Sequence, residues 1–472
     1  MALSLQQRNR FIQGNQREFG NRYEQLFFPD EETLSEADKR RRYLLQELAE
    51  SVSFGCLGTK LDMSNLSPGC RICIEGQWSC LFINGKCNGN CFYCPTSQDE
   101  IGLPTTNTLT FQDPKEYAAY LQVFGFKGTS ISGGEPLLTL DKTVRFIRSI
   151  KNRFGGDVHV WLYTNGILAT REIMKKLADA GLNEIRFDIG ATGYRLRQLD
   201  HAVGIIPTVT VEIPAVPEES ERMINLLPSL YDCGVQHLNL HQLRLTPYNF
   251  KKLVTRGYRF LHGKKMAVLD SELAALEILL HGKKKNINLP INYCSFPYKD
   301  RFQALAARRR NGTFILKSYE SLTENGFIRT LMITGNPDVL SQQVSALKRS
   351  GNNDGLWKQN GSEELSVHIN LLPHIDFKDL NLQIAYSAAY QRPSATYRNP
   401  FTKVTISRKM NIVIERETSP HRFSLSSDQA STLPAAISAT GSKQATQGLD
   451  KLIIQEEMID YEYVRAGLAD YY

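Results

Sequence analysis

From Leu81 to His241 short apolar runs alternate with longer stretches of helical periodicity, and this alternation constrains the fold more than any other feature of the chain. The runs Leu81–Asn84, Gly128–Ser132, Val158–Tyr163, Glu184–Ile189, Thr208–Ile213 and His237–His241 predict strands. Between them, helices are predicted near Pro114–Val123, Leu140–Arg153, Arg171–Ala180, Tyr194–Ala202 and Glu219–Cys233. Strand and helix in alternation need crossover connections, which make a parallel sheet. Six repeats predict an α/β fold, a partial (βα)6 TIM-like barrel over residues 81–295. In such barrels the loops that follow the strands build the site, so chemistry should gather just past each strand.

The flanks read differently. Residues 1–50 predict a helical lead-in, with Ser35 as N-cap before an apolar pattern through Tyr43, Leu44, Leu45 and Leu48. Residues 51–80 mix Gly, Pro and Asn with cysteines and show no apolar period, so a bound metal is expected to order them. Residues 296–472 predict a C-terminal α+β region, with alternating segments at Phe327–Ile333, Asp379–Ala385 and Val404–Ile414. Near 424–447 large apolar residues are scarce, which predicts a mobile loop, and the tail from Leu449 to Tyr472 is expected to dock back.

Composition sets the class: 42% hydrophobic and 22% charged residues are those of a globular chain, and no apolar run is long enough for a bilayer. Met1–Arg17 lacks the apolar core of a secretory signal, so the cytoplasm is the expected address. The net charge of +7 includes basic runs at Lys39–Arg42, Lys283–Lys285 and Arg308–Arg310. They permit nucleic-acid contact, but a solvated helix face is the commoner meaning, and no aromatic-interleaved RNA motif accompanies them.

Seven of the nine cysteines lie between residues 56 and 94. With no export signal, such spacing reads as metal ligation by thiolates rather than as disulfides. KCNGNCFYCP places Cys87, Cys91 and Cys94 in a CxxxCxxC pattern just after the first predicted strand, with Tyr93 beside the last. Three thiolates on one loop can hold three irons of a cubane and leave the fourth open. The alternative is zinc, closed by a fourth ligand such as Cys80, although zinc knuckles usually carry two CxxC pairs. Ser132-Gly133-Gly134-Glu135-Pro136 ends the second predicted strand on the same rim. Its glycines let backbone approach a ligand and its carboxylate can face a cationic amine; alone, it could equally be a tight strand-to-helix turn.

The triad on the first βα loop and SGGEPLLT on the second, followed by LYTNG and EIRFDI, resemble the radical S-adenosylmethionine (SAM) superfamily over roughly residues 81–245. Within it the chain is most similar to glycyl-radical-enzyme activases and peptide-modifying maturases. The resemblance implies a [4Fe-4S] cluster on Cys87, Cys91 and Cys94, with SAM on its open iron. It implies that Gly133, Gly134 and Glu135 hold the methionine end of SAM, and that Asn165 and Asp188 reach its polar groups. It also implies an electron donor such as flavodoxin or ferredoxin. The bland readings of Asn165 and Asp188 are a turn residue and a cap. His241, Gln242 and Arg244 follow the sixth strand as candidate SAM or substrate contacts, and Glu212 lies within an apolar strand where it needs a partner. Cys56, Cys70, Cys73 and Cys80 could hold a second Fe-S cluster or zinc, with Cys294 as an alternative fourth ligand; Cys233 reads as a buried small apolar residue. The expected activity is hydrogen abstraction from a substrate, with protein or peptide slightly favoured. The rivals are a non-catalytic Fe-S or zinc protein and an RNA-modifying enzyme.

Overall fold

The computed structural model describes residues 3–349, 355–438 and 456–472. The chain divides into two compact units, Met1–Gln303 with Ala466–Tyr472, and Ala304–Arg465.

In the first unit all six expected strands form, as β1 (Trp78–Asn84), β2 (Gly128–Gly133), β3 (His159–Thr164), β4 (Glu184–Phe187), β5 (Thr208–Pro214) and β6 (His237–His241). A strand the periodicity did not predict, β7 (Ile291–Cys294), follows them. The seven pair in parallel and in chain order, β6 to β7 in the register Leu238↔Ile291 through His241↔Cys294. A short hairpin, Phe54–Gly55 with Lys60–Leu61, extends the sheet antiparallel beyond β7 and sets Lys60 opposite Cys294.

The pleat sorts the side chains. Val160, Leu162, Ile185, Val209, Val211, Leu238 and Leu240 are at most 1% exposed, and helices such as Leu140–Phe154 bury apolar faces of their own (Val144, Ile147, Ile150). The alternate residues of the same strands are polar and bond to one another: Arg186 donates to Glu184 (2.8 Å), Glu212 (2.6 Å) and Tyr163 (3.2 Å), and Asn239 donates to Glu212 (3.1 Å). The helix Pro68–Ile74 seats on this polar face through the Gly69 amide, which donates to Glu184 at 2.9 Å. A Cβ on Gly69 would stand 2.5 Å from the Arg186 guanidinium, so glycine lets the helix approach this closely without displacing that side chain.

Local expectations fail in three places. Ser35 is not an N-cap: the second helix, Glu31–Ala49, starts earlier because Asp30 accepts from the Thr33 amide. Tyr194–Ala202 is not an α-helix, since Gly193 and Tyr194 both take positive φ and only a 3-10 turn, Leu199–His201, survives. Ser427–Ser438, inside the expected mobile loop, is a helix. Ser426 and Gln429 exchange bonds there as a capping box, and Ala430 and Leu433 are fully buried. The rest of that expectation, 439–447, lies outside the described residues, as does 449–455 of the tail.

The second unit is a seven-stranded antiparallel sheet whose central strands, Ile328–Gly335, Leu380–Arg392 and Met410–Leu425, pack a core of Leu331, Ile333, Leu382, Ile384, Tyr386 and Phe423. The segment Val404–Ile414 turns out to be a hairpin between two of its strands. Among the described residues no helix is long and apolar enough to cross a membrane.

Candidate active site

The loops after the parallel strands enclose a cavity of about 320 Å³. Cys87, Cys91 and Cys94 line it from the β1 loop, Gly133 and Gly134 from β2, Asn165 from β3, Asp188 from β4 and His241 from β6. These residues, all named from the sequence, thus meet in one space, as do Tyr93, Glu212, Gln242 and Arg244, named there too.

Glu135 does not reach it. Its side chain is fully buried and accepts from the Leu137 amide (2.9 Å), the Thr164 hydroxyl (2.9 Å) and the Asn165 amide (2.7 Å), so it ties the β2 loop to the β3 loop. The two glycines serve contact between loops as much as contact with a ligand. A Cβ on Gly133 would lie 2.1 Å from the Asn84 carbonyl oxygen, and one on Gly134 would lie 2.0 Å from that of Lys86. The Gly134 and Glu135 amides donate to those same oxygens (2.9 and 2.8 Å), clamping the cysteine loop onto the end of β2.

Asn165 is the turn residue of its plainer reading, and it also reaches the cysteine loop. Its Oδ1 closes a turn on the Ile167 amide (3.0 Å), while its Nδ2 donates to Asn88 Oδ1 (2.8 Å) and lies 3.5 Å from Cys87 Sγ. Asp188 caps the next turn through the Gly190 amide (3.1 Å) and accepts twice from the Tyr93 hydroxyl (2.8 and 3.0 Å). Burial pushes its carboxyl up to about 6, against the pull of those donors. His241 is held down to about 3, first by burial and then by the charge of Lys299, so it presents a neutral imidazole to the cavity.

The cysteine loop fits a thiolate-held cluster. Cys87 Sγ accepts from the Gly89 amide (3.3 Å) and Cys94 Sγ from Gln98 Nε2 (3.1 Å), the N–H donors that support sulfur anions. Among the described residues no three His, Cys, Asp or Glu side chains are grouped to hold a single metal ion. Arg244 lines the cavity too, and its buried Nε has no hydrogen-bond partner among the described residues.

Sequence reasoning missed Tyr163, Arg186, Phe296 and Lys299, which also line the cavity. Arg186 lay in plain view within EIRFDI, as a charge in an apolar strand; Phe296 and Lys299 had no signal until β7 was recognised. Members of two of the three basic runs pair within the protein: Arg40 with Glu277, Arg41 with Glu272, Lys283 with Asp62 and Lys284 with Glu47.

A family model for the radical SAM superfamily matches residues 81–202. A protein of Methanocaldococcus jannaschii that carries the name of a glycyl-radical enzyme activating enzyme is 30% identical over 302 residues, 61% of this chain and 79% of that one. A GTP 3',8-cyclase of Staphylococcus aureus (strain JH9) is 26% identical over 201 residues, 37% of this chain and 58% of the cyclase. Streptococcus suis SuiB bound to S-adenosylmethionine aligns with a TM-score of 0.37 at 12% identity, over 50% of this chain and 56% of that one. The chain belongs to the radical SAM superfamily, and it is an enzyme.

Proposed function

We propose that Cys87, Cys91 and Cys94 hold a [4Fe-4S] cluster at the mouth of a partial (βα)6-type barrel, that SAM occupies the adjoining cavity, and that the enzyme abstracts hydrogen from a protein or peptide. The observation that carries this reading is that three thiols from one loop open on the same cavity as Gly133, Gly134, Asn165 and Asp188 from the next three loops. The name of the M. jannaschii relative supports a protein substrate, since it describes an enzyme that activates another enzyme. When bound, the cluster and SAM supply a 5′-deoxyadenosyl radical.

The chain's own groups have separable tasks. The Gly133-Gly134 turn fixes the cysteine loop and presents backbone to the methionine end of SAM. Asn165 and Asp188 offer an amide and a carboxyl to its polar groups, with Tyr93 holding Asp188 in place. Arg186 is neutralised by Glu184 and Glu212, which leaves Arg244 and Lys299 as the cavity's cations for an anionic group of SAM or substrate. An external electron donor of the flavodoxin or ferredoxin kind is required. The Cys-rich segment supplies an auxiliary iron–sulfur site, with Cys56, Cys70 and Cys73 among its ligands.

The test is anaerobic reconstitution followed by incubation with SAM and dithionite. Wild type should release 5′-deoxyadenosine, and a Cys87→Ala/Cys91→Ala/Cys94→Ala variant should not. Iron-loaded wild type that neither binds nor cleaves SAM would sink the proposal.

A further inference from the structure

Lys60 is 1% exposed, and among the described residues no carboxylate bonds it. Its ammonium donates to Asn292 Oδ1 (2.7 Å) and to the Cys294 thiol, and lies 4.7 Å from the centre of the Tyr298 ring. A buried cation is costly unless anions surround it. Cys294, Cys70 and Cys73 are acids in electrostatic reach of this one, and Cys56 is another. Lys60 therefore sits among thiols that can supply negative charge, and clustered thiolates persist in a protein interior when a metal holds them.

Separate elements bring the sulfurs together. Cys70 and Cys73 are three residues apart on the helix Pro68–Ile74, hence on one face. The hydroxyl of Tyr298 lies 3.1 Å from Cys73 Sγ, and Asn239 donates to Cys70 Sγ at 3.3 Å. Cys294 ends β7 opposite Lys60. Cys56 occupies the hairpin turn with φ of +50°, followed by Leu57 at +53°; two consecutive non-glycine residues in that region cost energy that something else must offset. Cys56 also lies in electrostatic reach of Lys60 and Cys294. Cys80, the ligand suggested by its nearness in sequence, stands apart: of these groups only Cys73 is in its electrostatic reach.

We propose that Cys56, Cys70, Cys73 and Cys294 ligate a second [4Fe-4S] cluster, that Cys80 does not, and that Lys60 offsets its negative charge. This deepens the auxiliary site proposed above and rests on that reading. Cys294 is the register neighbour of His241, so the cluster would sit beside the wall of the SAM cavity.

The experiment uses the full chain carrying the Cys87→Ala/Cys91→Ala/Cys94→Ala background, reconstituted anaerobically with iron and sulfide. This variant should retain about four irons and give an electron paramagnetic resonance signal on reduction. Adding Cys294→Ser should remove both, while adding Cys80→Ser should remove neither; circular dichroism confirms folding of each. Should the Cys294→Ser variant not fold, Cys56→Ser, half-buried in the hairpin turn, takes its place with the same expectation. Lys60→Gln should keep the iron and lower the reduction potential, because a positive charge beside the cluster is lost. The inference is overturned if the triad variant holds no iron or holds zinc, if iron survives Cys294→Ser or Cys56→Ser, if Cys80→Ser removes it, or if Lys60→Gln leaves the potential unchanged. Wild type devoid of iron would instead defeat the radical SAM assignment of the triad, so the two failures are told apart.

Discussion

The Tyr93 hydroxyl donates to both carboxylate oxygens of Asp188, at 2.8 and 3.0 Å, and so joins the residue before the last cysteine of the triad to the end of β4. The contact gives the carboxyl a fixed direction inside a cavity where burial alone would favour its neutral form. Asp188→Asn should leave iron content intact and weaken SAM binding about tenfold or more, the loss of about 1.4 kcal/mol. Equilibrium binding to the iron-loaded variant checks this; unchanged affinity would remove Asp188 from the SAM site.

Glu135 makes a different prediction from the one its place in the GGE turn invites. Its carboxylate already accepts three hydrogen bonds from protein. Glu135→Gln places an NH2 where a donor already points, leaving a buried polar conflict of about 1–3 kcal/mol. The melting temperature should fall even without iron or SAM. A variant of wild-type stability that had lost only SAM affinity would restore the direct-contact reading.

Gly134→Ala tests the clamp on the cysteine loop. The new Cβ meets the backbone oxygen of Lys86 at 2.0 Å, and backbone cannot swing aside as a side-chain tip can. Iron incorporation should drop while β-sheet content by circular dichroism stays near wild type.

In the second unit Arg329 and Glu462 form an ion pair with both side chains nearly inaccessible, and Tyr386 adds a hydroxyl at 2.6 Å. Glu462→Ala strands a buried guanidinium and should cost about 3–5 kcal/mol. Denaturant unfolding should show this as a lower midpoint.

His262 supplies a pH dependence away from any metal ligand. It stacks on Phe28 at 4.3 Å between ring centres, and burial holds its pKa down to about 4. Unfolding returns it to about 6.5. The unfolded chain therefore binds more protons between those values. The contribution is complete above about 6.5 and is lost as pH falls toward 4. His262→Phe should flatten stability against pH across that window, as measured by thermal melts.

Much of this protein is legible residue by residue. Alternation of apolar runs with helical periods located six strands and four of five helices, because strand and helix periods are written in neighbouring side chains. The CxxxCxxC loop and the SGGEP turn were readable for the same reason: their chemistry is local. Where local signals competed, reading failed, as when a capping box and two buried apolar residues made a helix of Ser427–Ser438 within a polar stretch.

What the tertiary structure decided is which groups share a space. Glu135 faces inward because Thr164 and the Asn165 amide, from another strand, use up its oxygens. Lys60 meets Cys294 across 234 positions because the N-terminal hairpin pairs with β7 and not with its sequence neighbour β1. Periodicity specifies the face a side chain takes, whereas strand order and register specify what it faces, and those follow from the packing of the whole sheet.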